Sequence, residues 1–109
     1  MTVQTLAAHE NITALTCPAL ERTVKGVYIG DLLSWVMGRA EADCAWITIM
    51  SNINIAAVAA LADVACIVLA EGVRPEQTVL DAAAAKDINI LQSSLPAYET
   101  AVLLHESGV

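Results

Sequence analysis

Short strand-like segments alternate with helix-like segments along most of this chain, and this alternation limits the possible folds more than any other feature. The strand-like segments are apolar, rich in β-branched side chains and bounded by turn residues. They cover residues 12–16, 27–29, 44–50, 65–70 and 89–92. Apolar residues at helical spacing predict helices near residues 2–9, 31–37, 54–63, 75–86 and 95–106.

The longer strands are apolar without interruption, which predicts a sheet that is buried on both faces. Such sheets are mainly parallel, because the helix that connects two parallel strands covers the sheet between them. Right-handed crossovers then place helices on both sides. We therefore expect a three-layer α/β/α fold with a mainly parallel sheet, formed as a single domain by residues 1–109. The pattern does not determine the strand order.

The hydrophobic fraction is 57%, above the roughly 45–50% of typical domains. Phe is absent and only 4% of the residues are aromatic, so the core must consist mainly of Ala, Val, Ile and Leu. A chain of this kind has more apolar surface than its core needs. We therefore expect self-association, with a homodimer as the simplest form.

The formal net charge is −7, and the five basic residues are scattered along the chain. A nucleic-acid interface needs clustered Lys and Arg, and an anionic membrane surface repels an acidic chain. The apolar run over residues 53–70 has membrane-spanning length, but Asp63 interrupts it. We interpret this run as a helix followed by a strand, and expect neither nucleic acid nor membrane as a partner.

The three cysteines are widely spaced and form no Cys-x-x-Cys pair. A disulfide framework or a structural zinc site normally shows paired cysteines. Cys44 and Cys66 lie in apolar segments and are expected to be small buried hydrophobes, whereas Cys17 beside Pro18 is expected to be more accessible. Without a signal peptide at the N-terminus, the sequence predicts a cytoplasmic location.

Polar or small residues follow each predicted parallel strand at its carboxyl end. In parallel sheets these ends share one rim, where ligands gather near helix N-termini. The candidate ligand-binding residues are Gly30, Asp31, Ser51, Asn52, Asn54, Glu71, Gly72, Ser93 and Ser94. The same residue types also serve as helix caps and turns, so each has a structural alternative; Asp31 and Ser94 are expected to cap helices.

Signatures of catalysis are missing from the sequence. It contains no phosphate-binding loop with a Lys, no G-x-G-x-x-G and no G-x-S-x-G. His9 and His105 lie near opposite ends of the chain, on predicted helices. We therefore expect no catalytic residue, no cofactor and no metal; a small enzyme that uses Asp31 or Glu71 as a general base is the alternative that remains.

Laid out in order, the segments resemble the DRTGG domain family. Residues 21–34 (ERTVKGVYIGDLLS) are similar to its "basic-x-V-x-G-x-x-x-G-D-L-L-S" stretch, and residues 91–99 (LQSSLPAYE) to its "L-x-[ST]-x-L-x-[AT]-[YF]-E" ending. Residues 46–49, 54–59 and 67–72 resemble the strands and the helix between them. The family is named for an Asp-Arg pair and a Thr-Gly-Gly sequence; this chain has Ser51-Asn52 and Ala70-Glu71-Gly72 there.

The resemblance implies a fold similar to the N-terminal domains of HPr kinase/phosphorylase and of the peptidoglycan (Mur) ligases. It also implies a regulatory or dimer-forming role, with the chemistry performed by another domain. We expect a non-catalytic regulatory module that binds a small, nucleotide-like ligand or a catalytic or signalling protein partner. The alternative is a homodimerising scaffold without a ligand, assembled through the apolar helix over residues 54–61.

Overall fold

The computed structural model describes residues 1–109 and contains one five-stranded sheet with helices on both faces. The strands are β1 (Ile12–Thr16), β2 (Gly26–Ile29), β3 (Cys44–Thr48), β4 (Cys66–Leu69) and β5 (Ile90–Ser93). The helices are α1 (Val3–Ala7), α2 (Leu33–Arg39), α3 (Asn54–Ala62), α4 (Gln77–Ala85) and α5 (Ala97–Glu106). Every predicted element is present, so the expected α/β class is confirmed.

The strand order in the sheet is β1-β5-β4-β3-β2. Strands β2 to β5 are parallel, and β1 pairs with β5 in the antiparallel direction. The carboxyl ends of the four parallel strands therefore share one rim, as the sequence predicted. Because β1 runs the other way, its start reaches this same rim, where the Ser94 amide donates a hydrogen bond to the carbonyl of Asn11 at 3.0 Å.

The core has two halves, one on each face of the sheet. On one face, Trp46 and Ile67 pack with residues of α2, α3 and α4. On the other, Ile47 and Val68 pack with residues of α1 and α5. Alternate residues of a strand point to opposite faces, and all five residues of β3 are buried. This two-sided burial is why the central strands are apolar without alternation.

The apolar run over residues 53–70 is divided between α3 and β4, which confirms the interpretation of a helix followed by a strand. Asp63 ends α3 in the left-handed conformation, with φ of 57°, and the amide of Val64 donates to the carbonyl of Ala59 at 3.2 Å. No helix of the chain has the length and hydropathy that crossing a membrane requires.

Asn89 is a buried polar residue that joins three segments at the edge of the sheet where the parallel strands begin. Its side-chain nitrogen donates to the carbonyls of Ala19 and Ala65 at 2.8 and 2.9 Å, and its oxygen accepts from the amide of Ala19 at 2.9 Å. The residue is 1% exposed. A buried amide with every hydrogen bond satisfied fixes the loop between β1 and β2 against the starts of β4 and β5.

We predict that Asn89→Ala lowers the free energy of unfolding by about 2–4 kcal/mol, because it leaves the amide of Ala19 and the carbonyl of Ala65 without their hydrogen-bond partner from Asn89 in a buried site. Urea unfolding followed by Trp fluorescence measures the change. The matched control is Asn54→Ala, at an exposed asparagine whose side chain forms no hydrogen bond. An equal effect of the two substitutions would contradict the role assigned to Asn89.

Candidate functional site

Asp31 joins the carboxyl ends of β2 and β3. One oxygen, Oδ1, accepts from the Thr48 hydroxyl at 2.7 Å and from the Ile49 amide at 3.0 Å. The expectation that Asp31 caps α2 is wrong: Leu32 occupies the N-cap position, and no side chain caps that helix. The carboxylate bonds across strands instead, because the parallel register places the end of β3 beside it.

Gly30 is held between two aromatic residues. Its carbonyl accepts a hydrogen bond from Trp46 Nε1 at 2.9 Å. A Cβ atom on this residue would lie 2.9 Å from Cε2 of Tyr28, which is closer than such contacts occur. Any other residue at this position would displace the Tyr28 ring from the backbone, and we interpret Gly30 as structural.

The loop after β3 leads directly into α3. Asn52 Oδ1 accepts from the amide of Asn54 at 2.9 Å, a local turn that opens the helix. The amides of Ser51, Asn52 and Ile53 have no acceptor within the protein. Ile53 is 52% exposed. This loop thus presents three unpaired donors and one exposed apolar side chain.

The Ala70-Glu71-Gly72 turn is tight and its amides are already used. Glu71 and Gly72 have φ of 63° and 67°, and the amide of Val73 donates to the carbonyl of Ala70 at 3.2 Å, as in a type I′ turn. The amide of Glu71 donates at 2.9 Å to the carbonyl of Leu95, in the loop after β5, and the amide of Gly72 donates at 2.8 Å to the carbonyl of Ser93, the last residue of β5. They are unavailable to a ligand. The exposed Glu71 side chain forms no ion pair or hydrogen bond.

Ser93 and Ser94 have different environments from those expected. Ser93 is fully buried; its Oγ lies 2.7 Å from Thr100 Oγ1 and accepts from the Leu95 amide at 3.1 Å. Ser94 Oγ donates to Asn11 Oδ1 at 3.2 Å. The expectation that Ser94 caps α5 is wrong, since Pro96 occupies the N-cap position. Ser93 supplies the polar anchor of this helix and is left out of the proposed site.

A cleft of about 550 Å³ opens between the loops after β3 and β4. It is larger than the three other clefts, which measure about 330–450 Å³. Its lining consists of Ser51, Asn52, Ile53, Arg74, Glu76, Thr78 and Val79. Of the predicted site residues, only Ser51 and Asn52 line this cleft; the others lie elsewhere on the rim or in the turns beside it.

Arg74 is the residue that the sequence analysis missed. It is exposed, and it forms no ion pair and no hydrogen bond within the protein. Arg22 and Lys25 instead pair with Asp43 at 2.6 and 3.4 Å. Arg39 stacks on the ring of Trp35. Its position in the sequence could have identified it, because Arg74 is the only basic residue in the four loops that follow the parallel strands.

Two helices begin at this cleft without side-chain caps, namely α3 and α4. The amides of Gln77 and Thr78, in the first turn of α4, have no acceptor within the protein. Unpaired amides and the helix dipole give a helix N-terminus a partial positive charge. Together with the guanidinium of Arg74 they favour a negatively charged group, while Glu76 in the same lining limits how much negative charge the cleft accepts.

The thiols and carboxylates do not form a reactive centre. Burial raises the pKa of Cys17 and of Cys44 to about 11, and raises the pKa of the fully buried Cys66 further. These thiols therefore stay protonated at neutral pH and are poor nucleophiles. No group of three His, Cys, Asp or Glu side chains is placed to hold a metal ion. Cys44 and Cys66 are buried and Cys17 is partly exposed, as expected.

Comparison with known proteins gives a family and a fold. Residues 5–107 match the family model of the DRTGG domain. A similar solved structure is that of the CBS and DRTGG domains of the regulatory region of Clostridium perfringens pyrophosphatase, complexed with the activator diadenosine tetraphosphate; the TM-score is 0.74 at 12% identity. The alignment covers 96% of this chain and 49% of that one, so the chain spans about half its length. No curated protein matches the chain.

We predict that Asp31→Ala lowers the free energy of unfolding by about 1–2 kcal/mol, since the Thr48 hydroxyl and the Ile49 amide lose a charged acceptor. Urea unfolding gives the value. The control is Asp81→Ala, which removes the same charge and one exposed hydrogen bond to Gln77. Its effect should stay within about 0.5 kcal/mol. If Asp31→Ala has no larger effect than Asp81→Ala, the link between β2 and β3 is unimportant.

We predict that Glu71→Gly raises the free energy of unfolding by about 0.5–1 kcal/mol. A left-handed conformation costs an L-residue about 1–2 kcal/mol, and the greater freedom of glycine in the unfolded chain offsets part of the relief. Thermal and urea unfolding measure the gain. Glu76→Gly makes the same chemical change at φ of −65° and should give no gain. A loss of stability in Glu71→Gly would show that the Glu71 side chain stabilises the turn.

Proposed function

This chain belongs to the DRTGG domain family, and from that premise we propose that it is a non-catalytic regulatory module. We further propose that it binds a small anionic ligand of the nucleotide class in the cleft between the loops after β3 and β4. One observation carries this proposal: the unpaired guanidinium of Arg74 and five unpaired amides lie where α3 and α4 begin.

The chemistry of the lining supports a phosphate-bearing ligand. Backbone donors at helix N-termini bind phosphate oxygens, and a guanidinium forms charge-assisted hydrogen bonds with them. Glu76 also lines the cleft, and its carboxylate repels additional negative charge. In this proposal Arg74 therefore contacts a single phosphate group. The exposed side chain of Ile53 offers an apolar surface for a base or a ribose.

The nucleotide class is suggested by the similar structure, in which diadenosine tetraphosphate is the activator of the pyrophosphatase. At 12% identity that structure supports only the fold of the present chain. Adenine nucleotides are therefore the first probes, and both the nucleotide class and the ligand itself are part of the proposal.

In this proposal residues 1–109 act as one module that transmits ligand binding to a catalytic or signalling partner. Such a module needs no reactive residue of its own, which agrees with the protonated thiols and the structural role of Asp31. A cytoplasmic location and a likeness to HPr kinase and Mur ligase domains remain predictions from the sequence. Homodimerisation is likewise a prediction from the sequence.

We predict that ATP, AMP or diadenosine tetraphosphate raises the melting temperature of the chain, since a ligand stabilises the folded state by RT ln(1 + [L]/Kd). Arg74→Ala should weaken the affinity at least about tenfold, because a charge-assisted hydrogen bond is lost. Isothermal titration calorimetry measures Kd. The control is Lys86→Ala, which removes the same charge at the opposite end of α4 and should leave Kd unchanged.

Two results would contradict the proposal. If none of the nucleotides changes the melting temperature or releases heat, the cleft does not bind this class. If Arg74→Ala and Lys86→Ala weaken binding equally, the nucleotide senses the net charge of the chain instead of the cleft. Far-UV circular dichroism of each variant checks that the fold is kept.

A further inference from the structure

Arg74 and Glu76 present opposite charges to one cleft without neutralising each other. Both side chains are exposed, and both line the cleft between the loops after β3 and β4. No nitrogen of Arg74 lies within salt-bridge distance of a Glu76 oxygen. The proposed function uses the guanidinium of Arg74 to bind a phosphate. It leaves the carboxylate of Glu76 without a partner.

Pro75 holds the backbone between these two residues extended. A proline restricts the residue before it to extended conformations, which here is Arg74. Glu76 is also extended, with φ of −65° and ψ of 157°. Pro75 is buried, so it anchors the segment while its two neighbours stay exposed. An extended chain advances about 3.3 Å per residue, so Arg74 and Glu76 begin about 6–7 Å apart on the backbone.

The carboxylate of Glu76 is a hydrogen-bond acceptor that the fold does not use. Glu76 begins α4 through its backbone carbonyl, which accepts from the amides of Val79 and Leu80 at 3.0 and 3.4 Å. Its side chain forms no capping hydrogen bond and no ion pair. The amide oxygen of Asn52, also in the lining, already accepts from the amide of Asn54. Glu76 supplies the only carboxylate in the lining.

We propose that Glu76 recognises the ribose of the bound nucleotide, by accepting hydrogen bonds from its 2′- and 3′-hydroxyl groups while Arg74 binds its 5′-phosphate. This inference rests on the proposed function and names the sugar that the cleft selects. A carboxylate suits a pair of adjacent hydroxyl donors, because each of its two oxygens accepts one of them. Acidic side chains bind the ribose 2′-hydroxyl in the same way in dinucleotide-binding folds.

The spacing of the two charged residues agrees with this assignment. The 5′-phosphate and the 2′,3′-diol of a ribonucleotide lie on opposite sides of one sugar ring, so neighbouring side chains can reach both. A second phosphate at Glu76 would be repelled by the carboxylate. The base lies beyond the sugar from the phosphate, and the exposed side chain of Ile53 in the lining offers it an apolar contact.

The test compares AMP, 2′-deoxyAMP and 2′,3′-dideoxyAMP by isothermal titration calorimetry. We expect the unmodified chain to bind both deoxy analogues at least about tenfold more weakly than AMP, because hydrogen bonds to a charged group are lost. In Glu76→Ala the three ligands should bind with equal Kd. Glu76→Gln keeps an acceptor oxygen, and it should retain part of the preference for AMP.

Glu71→Ala is the matched control. It removes the same side chain from an exposed position on the same rim, outside the lining of the cleft. Its ratio of Kd values should equal that of the unmodified chain. The ratio is the decisive measurement, because removing either carboxylate also reduces the repulsion of every phosphate. A purely structural role of Glu76 at the start of α4 would change the free energy of unfolding and leave the ratio unchanged.

Two results overturn this inference and leave the proposed function intact. One is equal affinity of the unmodified chain for AMP and both deoxy analogues, with all three weakened by Arg74→Ala. The other is a preference for AMP that persists undiminished in Glu76→Ala. If no nucleotide binds the unmodified chain, the proposed function and this inference are both wrong.

Discussion

Parallel pairing of β3 with β4, with both faces covered, is the constraint on which the rest of the structure depends. A strand buried on two faces must satisfy its backbone groups with neighbouring strands, because no water reaches them. Trp46 and Ile67 lie opposite each other in this pairing, as do Ile47 and Val68. The crossover between two parallel strands must return to the starting edge, so every strand-to-helix loop from β2 to β5 begins at the same rim.

The rim divides into a part that holds the strands together and a part that stays open. Near the ends of β2 and β5, Asp31 and Ser93 bond to Thr48 and Thr100 and are occupied by the fold itself. Between the ends of β3 and β4 the polar groups remain free, because α3 and α4 begin side by side on one face. Arg74 therefore has solvent in front of it and no carboxylate within salt-bridge distance.

Periodicity predicts the elements well because each depends on neighbours along the chain. The αL residue Asp63 at the junction of α3 and β4, and the apolar residues 66–69, are visible in the sequence as a polar break and a buried strand. The partners of rim side chains are not local: Thr48 is 17 residues from Asp31. The sequence suggests that Asp31 and Ser94 cap the helices that follow them, because capping is the role that residues nearby in the chain make possible. In the folded sheet their partners are distant in sequence, Thr48 for Asp31 and Asn11 for Ser94.

The turn after β4 explains why Arg74 is important in the proposed function. Where the family carries Thr-Gly-Gly, this chain has Ala70-Glu71-Gly72, and the amides of Glu71 and Gly72 donate to carbonyls at the end of β5 and in the loop after it. An anion at this turn would meet the Glu71 carboxylate and no free donor. The positive charge lies instead two residues beyond Gly72, at Arg74, beside the open amides of α4. In the proposed function, an anion is therefore attracted to the cleft beside Arg74 and not to this turn.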